Sequence, residues 1–122
     1  MFRESLVKKY AVNHRLVAIC DSNPGRLRYA EQSLKKSNVS VTCYLEKDFH
    51  KLLRVEKPDI LIVTSPDYTH HKYIIAGAKK GCQIISEKPI TSSLVYLKKI
   101  VTELNKVQTI ATITHNYRYS PY

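Results

Sequence analysis

The chain has 122 residues, the size of one ordinary domain or of part of a larger chain. Twenty Lys plus Arg against ten Asp plus Glu leave a formal charge of +10, and a composition 43% hydrophobic and 25% charged excludes intrinsic disorder. No apolar stretch approaches the ~20 residues of a membrane-spanning helix, and MFRESLVKKYAVNHR does not read as a secretory leader.

Residues 2–12 (FRESLVKKYAV) read as a short amphipathic helix, and Arg15–Asp21 as an apolar strand ending in an acid. Pro24–Ser37 is a helix with Pro24 in its first turn and Leu27, Ala30 and Leu34 at helical spacing. Val39–Tyr44 is β-rich, and Leu45–Val55 is a short helix closed by Lys57–Pro58. Asp59–Thr64 (DILIVT) is the strongest strand, and its unbroken apolar run predicts cover on both faces. Asp67–Lys80 is a helix with Asp67 as N-cap and Gly81 as its stop. Cys82–Ser86 is a buried strand. Thr91–Lys106 is a helix with Leu94, Leu97, Val101 and Leu104 on one face, and Gln108–Thr114 is the last strand.

Strands alternating with helices imply an α/β domain, doubly wound around a parallel sheet with helices on both faces. The charge is spread in lysine doublets, 8–9, 35–36, 79–80 and 98–99, the first three toward helix ends, where cations favour the helix dipole. There is no long basic block interleaved with aromatics, so the pattern argues against nucleic-acid binding. Cys20, Cys43 and Cys82 are odd in number, lack CxxC spacing and lie in apolar segments, as expected of reduced thiols in a cytoplasmic protein.

In doubly wound sheets ligands bind beyond the carboxyl ends of the strands. Asp21 there either accepts hydrogen bonds from an adenosine ribose, which favours NAD over NADP, or shapes the turn-rich DSNPG. Arg26 and Arg28 lie close enough to blur the choice of cofactor. Ser65-Pro66-Asp67-Tyr68-Thr69-His70 joins a strand to a helix N-terminus, which suits a phosphate or forms a simple capped helix. His70 and His71 point about 100° apart on a helix and make a poor metal pair. Lys88, in Glu87-Lys88-Pro89, is either a surface lysine beside a turn proline or an acid/base group at the substrate end of the crevice.

Taken together, KPDILIVTSPDYTHHKYI, then GCQIISEKPIT, then HNYRYSP resemble the glucose–fructose oxidoreductase/inositol dehydrogenase family (Gfo/Idh/MocA). The resemblance runs from about Phe2 to Tyr122. Its specific part is a hydrophobic strand, Ser-Pro-Asp-x-x-His, and Glu-Lys-Pro about 20 residues on. It implies a Rossmann domain that binds NAD or NADP as part of a dehydrogenase acting on a sugar or cyclitol. By that analogy Asp21 meets the ribose, and Ser65, Pro66 and His70 line the cofactor cleft. Glu87 and Lys88 approach the nicotinamide, with Lys88 relaying a proton. Asn116 and Arg118 match the family's Asn-x-Arg segment.

Two departures accompany it. No glycine precedes Gly25, so the family's first strand and GxGxxG turn have no counterpart here. In the order 3-2-1-4-5-6 that absence should leave two strands each short of a partner. The family's C-terminal domain, which carries substrate contacts and the oligomer interface, has no counterpart after Tyr122. Residues 1–122 thus read as a partial Rossmann domain, with about 115–122 leading toward a second domain. The 122 residues alone are expected to be inactive as a dehydrogenase; the alternative is a non-catalytic remnant that acts by binding a partner.

Overall fold

The structure is a computed structural model that describes residues 2–9 and 11–120. Met1, Tyr10, Pro121 and Tyr122 lie outside the described residues, as do the side chains of Phe2, Asn116 and Tyr119. The chain divides into two units, residues 1–57 and 58–122.

The first unit contains α1 (Phe2–Val7), β1 (Ala18–Asp21), α2 (Pro24–Lys35), β2 (Thr42–Leu45) and α3 (Phe49–Glu56). β1 and β2 pair in parallel, with Ile19 opposite Cys43 and Cys20 opposite Tyr44. Successive strand residues face opposite ways, so Cys20 and Cys43 lie on different faces of the ribbon, and both are free thiols. α2 covers the Cys43 face: Leu27, Ala30 and Leu34 are buried, and Glu31 and Lys35 of α2 act electrostatically on the Cys43 thiol. The opposite face meets α3, where the Tyr44 hydroxyl donates to Glu56 Oε1 at 2.7 Å. Helices therefore lie on both faces of the ribbon, as the doubly wound reading requires. α2 stops where Asn38 turns left-handed (φ 56°) and Val39 N–H bonds Leu34 O at 3.0 Å.

The second unit contains β3 (Ile60–Val63), α4 (His70–Ala78), β4 (Gln83–Glu87), α5 (Leu94–Val107) and β5 (Ala111–Thr114). Its sheet runs β3-β4-β5, all parallel, with Leu61, Ile84 and Ala111 in one row and Val63, Ser86 and Ile113 in another. α4 presses on the Leu61–Ile84 row. Gly77 makes this approach possible: a Cβ there would come within 2.5 Å of Leu61 Cδ2 and 3.0 Å of Ile84 Cδ1. Gly81, at φ +81°, ends the helix as expected, and Cys82 N–H closes the cap on Gly77 O at 3.1 Å.

The two sheets are separate, and β1 and β3 each have a single partner among the described residues.

Three expectations need correction. β3 is not covered evenly: Val63 is buried, but Ile60, on the row that faces away from α4, is 37% exposed. α5 buries the Leu94–Leu97–Val101–Leu104 face only in part: Leu97 and Leu104 are half-buried, while Leu94 (78%) and Val101 (47%) are exposed. It meets α4 along Tyr96, Ile100 and Glu103, one stripe over. Tyr96 stacks on His71 (centroids 3.6 Å apart, 6° between planes), Ile100 is fully buried, and Glu103 faces Lys79 at 4.0 Å. Asp67 does not cap α4. It opens a 3-10 turn, Asp67–Thr69, where Oδ1 accepts from Tyr68 N–H at 2.8 Å, and Thr69 stands at the N-cap.

Candidate functional site

At the end of β1, Asp21 is held by local bonds. Its Oδ1 accepts from Asn23 N–H at 2.8 Å. Arg26, in the first turn of α2, grips both oxygens, Nε to Oδ2 at 2.8 Å and a terminal nitrogen to Oδ1 at 2.6 Å. This bidentate pairing, together with the Asn23 N–H, holds the Asp21 carboxyl below the usual carboxylate range. Asn23 caps α2, its Oδ1 accepting from Gly25 N–H at 2.8 Å and Arg26 N–H at 3.2 Å. Asp21 is thus both a turn former and a fixed anion at a strand end. Arg26 carries its charge into solvent.

In the second unit the residues after β3 fold onto those after β4. The Thr69 hydroxyl lies 2.8 Å from Ser65 Oγ and 2.6 Å from Pro66 O, which tightens the turn into α4. His70 follows as the first residue of α4. Its Nε2 is 2.8 Å from Ser65 O and its Nδ1 is 2.8 Å from Pro89 O. The side chain is only 1% exposed. The expectation that His70 lines a cleft therefore meets a different placement. The ring lies beneath the two loops and has no nitrogen left for a ligand.

Above it, Pro66 and Lys88 are exposed, while Ser65 and Glu87 are half-buried. The Lys88–Pro89 peptide is cis. Ser86, fully buried at the end of β4, donates through its hydroxyl to Glu87 O at 3.1 Å, and Thr114 Oγ1 bonds Ser86 O at 3.4 Å. Arg118 is exposed in the 3-10 turn Asn116–Tyr119 after β5, its N–H donating to His115 O at 3.0 Å. The side chain of Asn116 lies outside the described residues.

Ser65, Pro66, His70, Glu87 and Lys88 are therefore brought to one place through the His70 ring. Asp21 belongs to the other unit. Two participants went unread in the sequence: Arg26 as the partner of Asp21, and the Pro89 carbonyl as the partner of His70. The first had a signal, since an arginine five residues after a strand-end acid falls in the first turn of the next helix. No group of three or more His, Cys, Asp or Glu able to hold a metal occurs among the described residues. Burial pushes the Cys82 thiol up, and Sγ contacts Pro58 O at 3.1 Å, so this cysteine is a packed thiol rather than a nucleophile. No helix among the described residues is long and apolar enough to cross a membrane.

Comparison with known proteins matches this arrangement. Residues 4–115 fit the family described as "Oxidoreductase family, NAD-binding Rossmann fold", GFO_IDH_MocA. The chain is 29% identical over 104 residues to myo-inositol 2-dehydrogenase of Thermotoga maritima, covering 85% of this chain and 29% of that protein. It is 27% identical over 106 residues to D-glucoside 3-dehydrogenase of Escherichia coli, covering 86% of this chain and 28% of that protein. The crystal structure of the WlbA dehydrogenase of Chromobacterium violaceum, in complex with NADH and UDP-GlcNAcA, shares the fold. Its TM-score is 0.80 at 19% identity, over 97% of this chain and 32% of that one. The chain thus spans less than a third of the length of these relatives. With paired strand-end motifs and a family match across nearly its whole length, the chain belongs to the Gfo/Idh/MocA oxidoreductase family, whose fold is the NAD-binding Rossmann fold.

Proposed function

We propose that this chain is the cofactor-binding part of a dehydrogenase that moves hydride between a nicotinamide dinucleotide and a sugar- or cyclitol-type alcohol. The observation that carries the reading is the clustering of Ser65, Pro66, Glu87 and Lys88 at the carboxyl ends of adjacent parallel strands, where doubly wound sheets bind ligands. The relatives that act on inositol and glucosides, and the NADH-bound WlbA structure, support the same chemistry.

The residues present suit such a cofactor. Asp21 offers a fixed carboxylate for ribose hydroxyls, and its pairing with Arg26 places a cation where a 2′-phosphate would need one. On this reading Asp21 favours NAD, while Arg26 softens the discrimination against NADP. Ser65, Pro66 and Glu87 bound the cleft, with Asn116 and Arg118 near its mouth. Bound nicotinamide supplies the hydride chemistry. Lys88, exposed on its loop, exchanges the proton of the reacting hydroxyl with water and orients that hydroxyl. Three free thiols fit a reducing, cytoplasmic setting.

The test is a calorimetric titration with NAD and NADP separately. It is made on the 122-residue chain and on a version extended by a family-type first strand and glycine-rich turn. Binding by the extended chain, weakened by Asp21→Ala with relaxed preference against NADP, is the expected result. Failure of both folded versions to bind would overturn the cofactor reading. It would favour a non-catalytic interaction module, which the single-sided pairing of β1 and β3 supports.

A further inference from the structure

From the His70 contacts we infer that this residue is a positioning residue: it fixes the Glu87–Pro89 loop, and with it Lys88, against the Ser65–Pro66 turn. The inference rests on the reading of Lys88 as the group that meets substrate, but the clamp itself is a property of the fold and can be tested without it. The ring spans two segments that are otherwise distant in sequence. Ser65 O is five residues before it and Pro89 O nineteen after it, each at 2.8 Å from a ring nitrogen. Both partners are carbonyl oxygens, which only accept, so the ring nitrogen that carries the hydrogen donates to the carbonyl it faces.

Position explains why a histidine serves here. It opens α4, and α4 is fixed to the sheet by the buried Ile74 and the close approach of Gly77. The ring is therefore anchored on a rigid element while its two nitrogens reach two loops. Proline at 89 has no N–H of its own to anchor the loop, so its carbonyl is the available handle. On the strand side of Lys88, Glu87 pairs with Thr114 in the sheet and its carbonyl accepts from the Ser86 hydroxyl at 3.1 Å. His70 holds the far side. Lys88, itself exposed, is then bracketed by ties on both sides.

Two conservative variants separate this role from simple core filling. An asparagine amide can donate from the place of Nδ1, toward Pro89, and a glutamine amide from the place of Nε2, toward Ser65. The experiment measures backbone 15N order parameters of the 122-residue chain for wild type, His70→Asn and His70→Gln. In wild type, Lys88 and Ile90 are expected near the rigid value of about 0.85. His70→Gln should lower them toward about 0.6, while His70→Asn keeps Lys88 and Ile90 rigid and loosens Ser65 and Asp67 instead. Equal loosening of both segments in both variants, general melting of residues 58–122 in either, or no change in either would overturn the clamp. NADH titration of the same samples reads the other proposition separately: a wild-type chain that shows the crossed pattern but binds no NADH keeps the clamp and counts against the cofactor reading.

Discussion

The two strand-end corners are built on different principles. The corner after β1 is local and exposed: Asp21, Asn23 and Arg26 satisfy one another across two to five residues. The corner after β3 and β4 is non-local and built on a buried ring, with His70 joining residues 65 and 89. A local corner is specified by a few neighbouring residues and gains little from the rest of the fold. A non-local one exists only if α4 sits correctly on the sheet. The second corner should therefore be sensitive to core packing and the first to single polar groups.

The largest effect is expected from Ile74→Ala. Ile74 is fully buried on α4, one turn after His70. Truncation removes buried methyl groups and leaves a cavity between α4 and its neighbours, a loss of roughly 2–5 kcal/mol. Urea unfolding gives the magnitude. If the comparison is sound, the order parameters at Lys88 also fall while those at Asn23 do not. Equal change at both corners would erase the distinction.

Asn23→Ala probes the other corner at smaller cost. It removes the cap that accepts from Gly25 and Arg26 N–H and should lower stability by about 1 kcal/mol. The loss should come with fraying at the start of α2, seen as faster amide exchange at Gly25 and Arg26, and with no change at Ser65 or Lys88. An unchanged α2 start would mean that Pro24, already set in helical φ at the first position, carries the start alone.

The same contrast explains what could be read from the residues alone. The burial of Leu27, Ala30 and Leu34 and the stop at Gly81 follow from spacing and local chemistry, and both occur as expected. Asp21 at a strand end was legible for the same reason. The end of α3 was legible from Pro58, but the left-handed conformation at Lys57 (φ 45°) and the stop at Gln108 (φ 52°) carry no compositional cue, because neither residue is a preferred left-handed type. For α5, two neighbouring stripes were apolar enough to be buried, and the position of α4 selected Ile100 over Leu94. His70 was picked out by its motif, yet its burial depends on a carbonyl nineteen residues away. Motif spacing identifies such a residue without revealing which way it faces.

The smallest effect is electrostatic and belongs to the exposed corner. Arg26, foremost, and the Asn23 N–H hold the Asp21 carboxyl below its ordinary value, so the folded state favours the anion more than the unfolded chain does. The stabilisation is fully present above the unfolded value of about 4 and is lost as pH falls through the lower, folded value. Wild type should therefore exceed Asp21→Asn in urea midpoint at pH 7. The gap should shrink below about pH 4 and close once Asp21 is protonated in both states. It should also narrow in about 1 M salt, since Arg26 faces solvent and exposed pairs are screened. A gap that stays constant down the titration would assign Asp21 to turn shape alone, with its charge contributing nothing to the fold. The carboxylate's pairing with Arg26 would then matter only when a ligand arrives.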